Sequence, residues 1–199
     1  MELTDRITPP FIGPVDRSIA KSIEVGSLDL RGADLSGADL QGVKLVNKDL
    51  SGVILAGATL RGADLTGVNM SKAYLKGADF TGATLSRSIL FGADFTHANL
   101  RNANLSDADL SNANFTHTNL TSAIFKNANI SGALIGGASL RSANLEGAKL
   151  SGAIIGGAYL NDSSLEVVFT DLQGAKVRRS QLDEAMLLDG VTLPDGTRL

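Results

Sequence analysis

Residues 31–65 read RGADL SGADL QGVKL VNKDL SGVIL AGATL RGADL, a run of five-residue units that each end in leucine. The spacing holds from Leu30 to Leu165, where every fifth residue is Leu, Phe, Ile or Met. Alanine stands two residues before this central residue in 20 of the 28 units, so the unit is A(D/N)LXX. A period of five fits neither a helix nor the alternation of a long strand, and it predicts a solenoid.

The unit also predicts its own local geometry. Alanine and the central residue are one position apart, so both point inward from an extended backbone while the Asp or Asn between them points out. We call that intervening residue the outward position, and the two residues after the centre the first and second corner positions. Glycine or a small polar residue at the corners permits the tight turn that each unit needs.

Longer internal repeats predict how many units close one coil. ADFTHAN at 93–99 recurs as ANFTHTN at 113–119, and LIGGA at 134–138 recurs as IIGGA at 154–158, both after twenty residues. Four units per coil therefore stack equivalent positions ~4.8 Å apart, and about eight coils make a rod ~40 Å long. Phe95 and Phe115 are expected to stack in one interior column, flanked by Leu75 and Ile135.

This repeat closely resembles the pentapeptide repeat family, in its cyanobacterial type, over most of the chain. The resemblance implies an all-β solenoid, a right-handed quadrilateral parallel β-helix. It also implies a non-enzymatic scaffold or protein interaction module of unassigned role, without catalytic residues or a cofactor. Some relatives resemble B-DNA in shape and charge, bind DNA gyrase and confer fluoroquinolone resistance, which is the alternative function.

The charge distribution weighs against DNA mimicry. Duplex DNA carries one negative charge per ~1.7 Å, so a mimic needs many uncompensated acidic side chains. Residues 26–110 contain 9 acidic and 8 basic side chains, and residues 111–165 contain 2 and 3. The rod is nearly neutral, which favours the scaffold. Direct nucleic-acid binding is not expected either, because the sequence has no basic patch or aromatic stacking surface.

Four regions are predicted along the chain. Residues 1–24 form an N-terminal cap, a Pro-rich turn and short helix that place Phe11 and Ile12 over the first coil. Residues 25–167 form the regular β-helix, residues 168–193 form irregular C-terminal coils, and residues 194–199 form a tail. The spacing slips after Leu165, which predicts a two-residue insertion around Val168 and Phe169.

Two local features leave alternatives open. Near the C-terminus, Ser180 with Asp183 suits the cap of a final helix ending at Gly190, as an alternative to continued coils. Earlier, Lys48 stands where alanine belongs, and a buried unpaired ammonium is costly. We expect Asn47 and Lys48 to bulge out of the coil, with a snorkelling Lys48 side chain as the alternative.

The composition removes several functional classes. The chain of 199 residues has no Cys and only 2 His, which excludes thiol catalysis, disulfide scaffolds and Cys-based zinc sites. The first residues, MELTDRITPP, lack a signal-peptide pattern, and no run of 18 apolar residues occurs. We expect a cytoplasmic protein that binds neither a membrane nor a small-molecule substrate.

His97 and His117 are the strongest candidates for metal ligands. The twenty-residue coil would stack them on one face near Asp94. They lack an identifiable third strong ligand, so no metal is expected, and metal binding through this pair stays a second alternative function. The acidic outward residues are not expected to catalyse, because a convex rod has no cleft; they are Asp29, Asp34, Asp39, Asp49, Asp64, Asp79, Asp94 and Asp109.

The candidate protein interface consists of Ile54, Tyr74, Leu134 and Ile154. These apolar residues occupy outward positions on one face, where Asp or Asn is usual, and they recur by multiples of twenty. Beside the last two lies a flat strip formed by Gly136, Gly137, Gly156 and Gly157. Such a surface suits an unknown protein partner or a second copy of the chain. The alternative is that isolated surface hydrophobes are ordinary, or that a terminal segment covers them.

Overall fold

The computed structural model describes residues 29–156, 159–160, 167–168, 170–173, 175–183 and 191–198. Its main feature is a ladder of single-residue parallel β-bridges between outward positions twenty residues apart. Asp34 pairs with Ile54, and the offset is kept at every fifth residue up to Leu134, which pairs with Ile154. Twenty residues, or four units, therefore make one coil, as the internal repeats predict. The total of about eight coils stays a prediction.

Backbone hydrogen bonds explain how such short extended segments hold together. The N–H of Leu35 donates to the Ile54 carbonyl of the next coil at 2.7 Å, and the N–H of Ile54 donates back to Ala33 at 2.9 Å. Within one coil, the N–H of Ala33 closes the corner on the Leu30 carbonyl at 3.1 Å. Each unit thus satisfies its buried amide groups through two neighbouring coils and one tight turn.

The interior is a stack of columns of central residues, lined by alanine. Central residues from Leu30 to Ile155 are buried, and the alanine positions are buried with them except at Lys48. Phe95 and Phe115 stack with ring centroids 5.0 Å apart and an interplanar angle of 9°. The bridges of their neighbouring outward residues place Leu75 and Ile135 at the two ends of this pair. The predicted interior column is confirmed.

The corners are the strained part of the coil. Every second-corner residue from Gly32 to Gly152 has a positive φ, and Gly62 at 62° and Arg87 at 59° are two examples. A side chain in this left-handed region costs about 1–2 kcal/mol, since its Cβ approaches the following carbonyl oxygen. Glycine avoids that cost, which explains why 14 of the second corners from Gly32 to Gly152 are glycine. Non-glycine corners such as Arg87 are tolerated because the ladder fixes the backbone on both sides.

Arg87→Gly is expected to stabilise the protein by about 0.5 kcal/mol, because relief of strain exceeds the added entropy of the unfolded chain. Gly62→Val is expected to destabilise it by about 2 kcal/mol, since a β-branched residue is disfavoured at positive φ. Urea unfolding measures both changes. Ser86→Gly is the matched control, since its first-corner φ is not positive and glycine there brings only entropy loss. Effects of the same sign for Arg87→Gly and Gly62→Val would contradict the explanation.

Lys48 does not cause the expected bulge. The N–H of Asn47 donates to Thr66 at 2.9 Å, and the Lys48 carbonyl accepts from Asn69 at 2.9 Å, which are the bonds of a regular coil. Lys48 is half-buried at an alanine position beside the corner. The prediction of a bulge is wrong, because the left-handed φ of 56° that Asn47 tolerates keeps the corner intact. Its half-buried position favours the alternative of a snorkelling side chain.

The regular register ends earlier than the spacing of central residues indicates. Ser139 pairs with Asp171 and Asn144 with Lys176, an offset of 32 residues in place of twenty. Within the extra residues, strand β1, Tyr159–Leu160, pairs antiparallel with strand β2, Val167–Val168. The predicted two-residue insertion is therefore wrong, and the twenty-residue register stops at Ile154, short of residue 167. The described residues of this excursion thus pair with each other in antiparallel fashion.

The chain then returns to the interior columns. Leu172 is buried and occupies the position next to Leu140 in the interior column. The N–H of Leu140 donates to the Asp171 carbonyl at 2.7 Å. The buried Thr170 hydroxyl donates to the carbonyls of Ile135 and Ile155, which anchors the return. Further on, Thr192 pairs with Asp171 in parallel and with Arg198 in antiparallel fashion. This terminal turn pairs with the coil that contains Asp171.

A short helix, α1, spans Arg179–Leu182. The sequence offered a final helix capped by Ser180 with Asp183 as one of two alternatives, and that cap is wrong: Ser180 lies inside α1 and Asp183 is its C-cap. The N-cap is Arg178, whose N–H donates to the Gln181 side-chain oxygen at 2.9 Å. The Gln181 amide nitrogen donates to the Leu145 and Ala148 carbonyls, each at 2.8 Å. This side chain thus bonds the Ala148 carbonyl, to which a further coil would have donated a backbone N–H. The proposed helix end at Gly190 and the N-terminal cap of residues 1–24 lie outside the described residues.

Candidate interaction surface

The acidic outward residues have a structural role that the sequence pattern alone did not predict. In all eight, a carboxylate oxygen accepts the N–H of the residue two positions later, as in Asp34 with Ser36 at 3.0 Å. The Ser36 hydroxyl and then its N–H hold the pKa of Asp34 below its usual value, and the Thr66 hydroxyl and N–H do the same for the pKa of Asp64. Each carboxylate therefore supports its own corner.

The predicted interface residues lie on one ladder, which we call the apolar face. The outward residues of this ladder are Asp34, Ile54, Tyr74, Asp94, Asn114, Leu134 and Ile154, each bridged to the next, and the apolar face is the part from Ile54 to Ile154. Tyr74 is 59% exposed and Leu134 is 38% exposed, while Ile54 and Ile154 are half-buried. The structure therefore brings the four predicted residues together as two apolar pairs, separated by two polar positions.

Glycines flatten one edge of the apolar face. Gly136 occupies the first corner position after Leu134 and Ile135, and its carbonyl accepts the N–H of His117 at 3.1 Å. Gly136 and Gly156 are buried, and Gly137 is half-buried with a φ of 68°. No side chain rises from these corner positions, so Leu134 and Ile154 border a level strip. The predicted Gly157 lies outside the described residues.

Other exposed hydrophobic residues were not selected from the sequence. Ile89 and Ile124 occupy outward positions on two other faces and are 47% and 38% exposed, and Phe91 and Val46 occupy first corners. Their ladder neighbours are polar: Asn69 and Asp109 flank Ile89. The criterion that selected the apolar face, an apolar residue where Asp or Asn is usual, would also have selected Ile89 and Ile124. They differ from it because neither has an apolar neighbour on its ladder.

His97 and His117 lie at second corners on the edge of the apolar face, one coil apart. Their rings stack with centroids 5.1 Å apart at an angle of 11°, as the coil length predicts. Both side chains are half-buried. Among the described residues no group of three or more His, Cys, Asp or Glu side chains converges on one point. The pair thus offers two imidazoles and no third protein ligand within that part of the chain.

A cavity of about 300 Å³ lies between α1 and the last regular corner. Its lining combines Glu146 with Lys176, Arg178 and Gln181. The sequence gave no sign of this cavity, because it depends on the 32-residue offset that brings Lys176 and α1 beside Glu146. One acidic and two basic side chains line it, so its formal net charge is +1.

The comparison with protein families decides the identity of the repeat. The sequence profile of pentapeptide repeats matches in 8 copies over residues 33–71, 69–107, 88–127, 98–135 and 127–166. The chain belongs to the pentapeptide repeat family. Pentapeptide repeat proteins form right-handed quadrilateral β-helices, and the four-unit coil described above is that architecture. The predicted family and solenoid are confirmed.

Solved structures of family members resemble the chain. QnrB1, a plasmid-mediated fluoroquinolone resistance protein, is 24% identical, covers 82% of this chain and 79% of its own, and has a TM-score of 0.59. HetL, involved in the regulation of heterocyst differentiation in the cyanobacterium Nostoc sp. strain PCC 7120, is 31% identical over 85% of this chain and 86% of its own, with a TM-score of 0.28. The likeness to QnrB1, at less than 25% identity, shows the fold alone. No curated protein sequence matches significantly.

The described helix is too short to cross a membrane. Within the part of the chain that the structure describes, no helix combines the length and the apolar character that a membrane span requires.

Proposed function

We propose that this pentapeptide repeat protein is a non-enzymatic, cytoplasmic scaffold that binds protein through its apolar face, and that the first partner is a second copy of the chain. The observation that carries the proposal is the order of outward residues on that face. Two apolar residues, Ile54 and Tyr74, are followed by Asp94 and Asn114 and then by two apolar residues, Leu134 and Ile154. The pattern reads alike in both directions.

A pattern of this kind suits a twofold contact. An axis across the face, midway between Asp94 and Asn114, would set two rods antiparallel with their apolar faces together. Tyr74 then lies opposite the partner's Leu134, and Ile54 lies opposite the partner's Ile154. At the centre, the Asn114 amide is able to donate to the carboxylate of the partner's Asp94, which offsets the cost of burying either group.

The rigidity of the coil favours association. The backbone of the face is held by ladder hydrogen bonds of 2.7–3.0 Å in both directions, so little backbone entropy is lost on docking. The level strip at Gly136 and Gly156 allows close approach beside Leu134. Six ladder positions at ~4.8 Å give a contact only ~29 Å long, which places the interface at the small end of specific interfaces. We therefore expect a concentration-dependent dimer of micromolar affinity.

Sedimentation of the wild type from about 1 µM to about 1 mM should show a monomer converting to a dimer. Leu134→Asp with Ile154→Asp should stay monomeric over this range while keeping its fold, because Asp is the usual residue at the outward position. Asn104→Asp with Asn144→Asp is the matched control, since it adds the same charge at outward positions on another face and should dimerise as wild type does.

A charge-exchange experiment tests the antiparallel register itself. Leu134→Lys with Ile154→Lys should be monomeric, and so should Ile54→Asp with Tyr74→Asp. Mixing the two should produce a heterodimer, because Lys then faces Asp in one half while the apolar residues of the other half remain intact. A wild type that stays monomeric up to the highest concentration would refute self-association. A mixture without heterodimer would refute this register.

The alternative function, binding of DNA gyrase as a DNA mimic, is less well supported. Basic side chains lie among the acidic ones, as in the Arg61–Asp79 ion pair at 3.6 Å and the Arg31–Asp29 ion pair at 2.7 Å. A surface neutralised in this way lacks the continuous negative charge of a duplex. A gyrase supercoiling assay separates the two functions, since the scaffold predicts no inhibition by the purified protein.

A further inference from the structure

The stacked imidazoles of His97 and His117 have a geometry fixed by the coil. Both residues occupy second corners with φ values of 59° and 56°, and their N–H groups donate to Thr116 and Gly136, each at 3.1 Å. The parallel bridge between Asp94 and Asn114 holds the two coils in register three residues earlier. The two side chains therefore start from equivalent backbone positions in adjacent coils and extend in the same direction.

The column that contains the pair has a glycine on both sides. The second corner of the coil before is Gly77, and that of the coil after is Gly137, so no side chain rises from the second corner on either side of the stack. Each histidine is half-buried, which leaves part of its side chain accessible.

This spacing is suited to shared coordination of one ion. Metal–nitrogen bonds to imidazole are ~2.0–2.1 Å, so two nitrogens that share an ion lie roughly 3–3.5 Å apart. The ring centroids are 5.1 Å apart. Coordination of one ion therefore requires both rings to turn from the stacked arrangement towards a common point. Imidazole nitrogen suits copper, nickel and zinc, and the general order of affinity for divalent ions places Cu²⁺ first.

We propose that His97 and His117 form a two-ligand site for a divalent transition metal ion of the imidazole-preferring class, Cu²⁺, Ni²⁺ or Zn²⁺. Water completes the coordination, because the described residues place no third His, Cys, Asp or Glu in a common group with the pair. A site with two protein ligands exchanges its ion readily. The proposal therefore concerns reversible binding of added metal and is independent of the dimer.

Titration calorimetry with Cu²⁺ tests the site on the full chain. We expect one ion per chain for the wild type, and the same for the variant with Leu134→Asp and Ile154→Asp, which separates this site from the apolar contact. His117→Asn should weaken Cu²⁺ binding by about 100-fold. An ion held by one imidazole gains affinity from a second imidazole nearby, and this variant removes the second one. Asparagine is chosen because it tolerates the left-handed corner. Melting curves in a chelator should be alike for all variants.

Two further variants test whether the ladder position makes the site. His117→Asn with Ser122→His keeps two histidines on the chain but in different columns, and it should bind as weakly as His117→Asn. The second variant moves the pair to the next corner column with Asn102→His and Ser122→His, in a chain that carries His97→Asn and His117→Asn. Both new positions have a φ of 59°, so binding should return to within about tenfold of wild type.

Three results would overturn the proposal. One is His117→Asn with Ser122→His binding Cu²⁺ as tightly as wild type, which would show that any two histidines suffice. Another is that the variant with the histidine pair moved to positions 102 and 122 folds but does not bind Cu²⁺. The third is one ion per two chains with a doubled mass, which would place the ion between molecules and not within the pair.

Discussion

Leu105→Lys is expected to abolish cooperative folding. Leu105 is a fully buried central residue in the middle of the rod, and its N–H donates to the Ile124 carbonyl at 2.7 Å. A lysine there places a charge among leucine columns with no acidic partner, and burying an unpaired charge costs far more than burying a paired one. The total stability of a domain of this size is about 5–15 kcal/mol, so this single change is comparable to the whole.

Far-ultraviolet circular dichroism during heating measures this loss, together with the soluble yield. Leu105→Met is the matched control, because a nearly isosteric apolar substitution costs less than about 1.5 kcal/mol and should keep a sharp transition. A soluble Leu105→Lys protein with an unchanged melting curve would contradict the description of the interior. The tolerated Lys48 makes the contrast clear, since it lies at an alanine position and is half-buried beside a corner.

The sequence predicts the coil well because the side chains that stack are also the ones that repeat. Phe95 and Phe115 recur after twenty residues, and their rings are stacked as that interval requires. His97 and His117 follow the same rule. Each coil contacts mainly its two neighbours, so the period of the sequence and the period of the structure are set by one constraint. Little about this part depends on distant, non-repeating contacts.

The excursion after Gly156 could not be predicted in the same way. Ala158, Leu160 and Leu165 still fit the five-residue spacing, so the sequence favours continued coils. The structure instead pairs Tyr159–Leu160 with Val167–Val168 and resumes the ladder at Asp171. The spacing shows which residues are able to enter a coil, but it contains no information about a competing local pairing. Continued coils and a local antiparallel pair both satisfy the hydrogen-bonding groups of the backbone, so only side-chain packing distinguishes them.

The candidate surface was predictable in its position but not in its energetics. The twenty-residue register places Ile54, Tyr74, Leu134 and Ile154 on one face from the sequence alone. Their exposure differs, however, since Tyr74 is 59% exposed while Ile54 is half-buried beside it. That difference depends on side-chain directions and on neighbours such as Asp94, which a pattern of residue types does not contain.

Phe115→Ala is expected to destabilise the protein by about 3–5 kcal/mol, because it opens a cavity in a fully packed interior. The Phe115 ring stacks on Phe95 at 5.0 Å and meets the edge of Phe125 at 6.1 Å, so the substitution removes two aromatic contacts. Phe80 makes one such contact, with Phe95 at 5.7 Å. Phe80→Ala is therefore the matched control, with the same loss of volume and a cost smaller by about 0.5–1.5 kcal/mol.

Urea unfolding of Phe80→Ala, Phe95→Ala, Phe115→Ala and the double variant Phe95→Ala with Phe115→Ala measures both the cavity and the ring contact. The double substitution should cost less than the sum of the single ones, since the stacking energy is lost only once. The coupling is expected to be about 1 kcal/mol. Equal costs for Phe80→Ala and Phe115→Ala with additive effects at Phe95 and Phe115 would mean that the rings act only as apolar volume. In that case the stacked column would reflect the register of the coils and contribute nothing beyond burial to their stability.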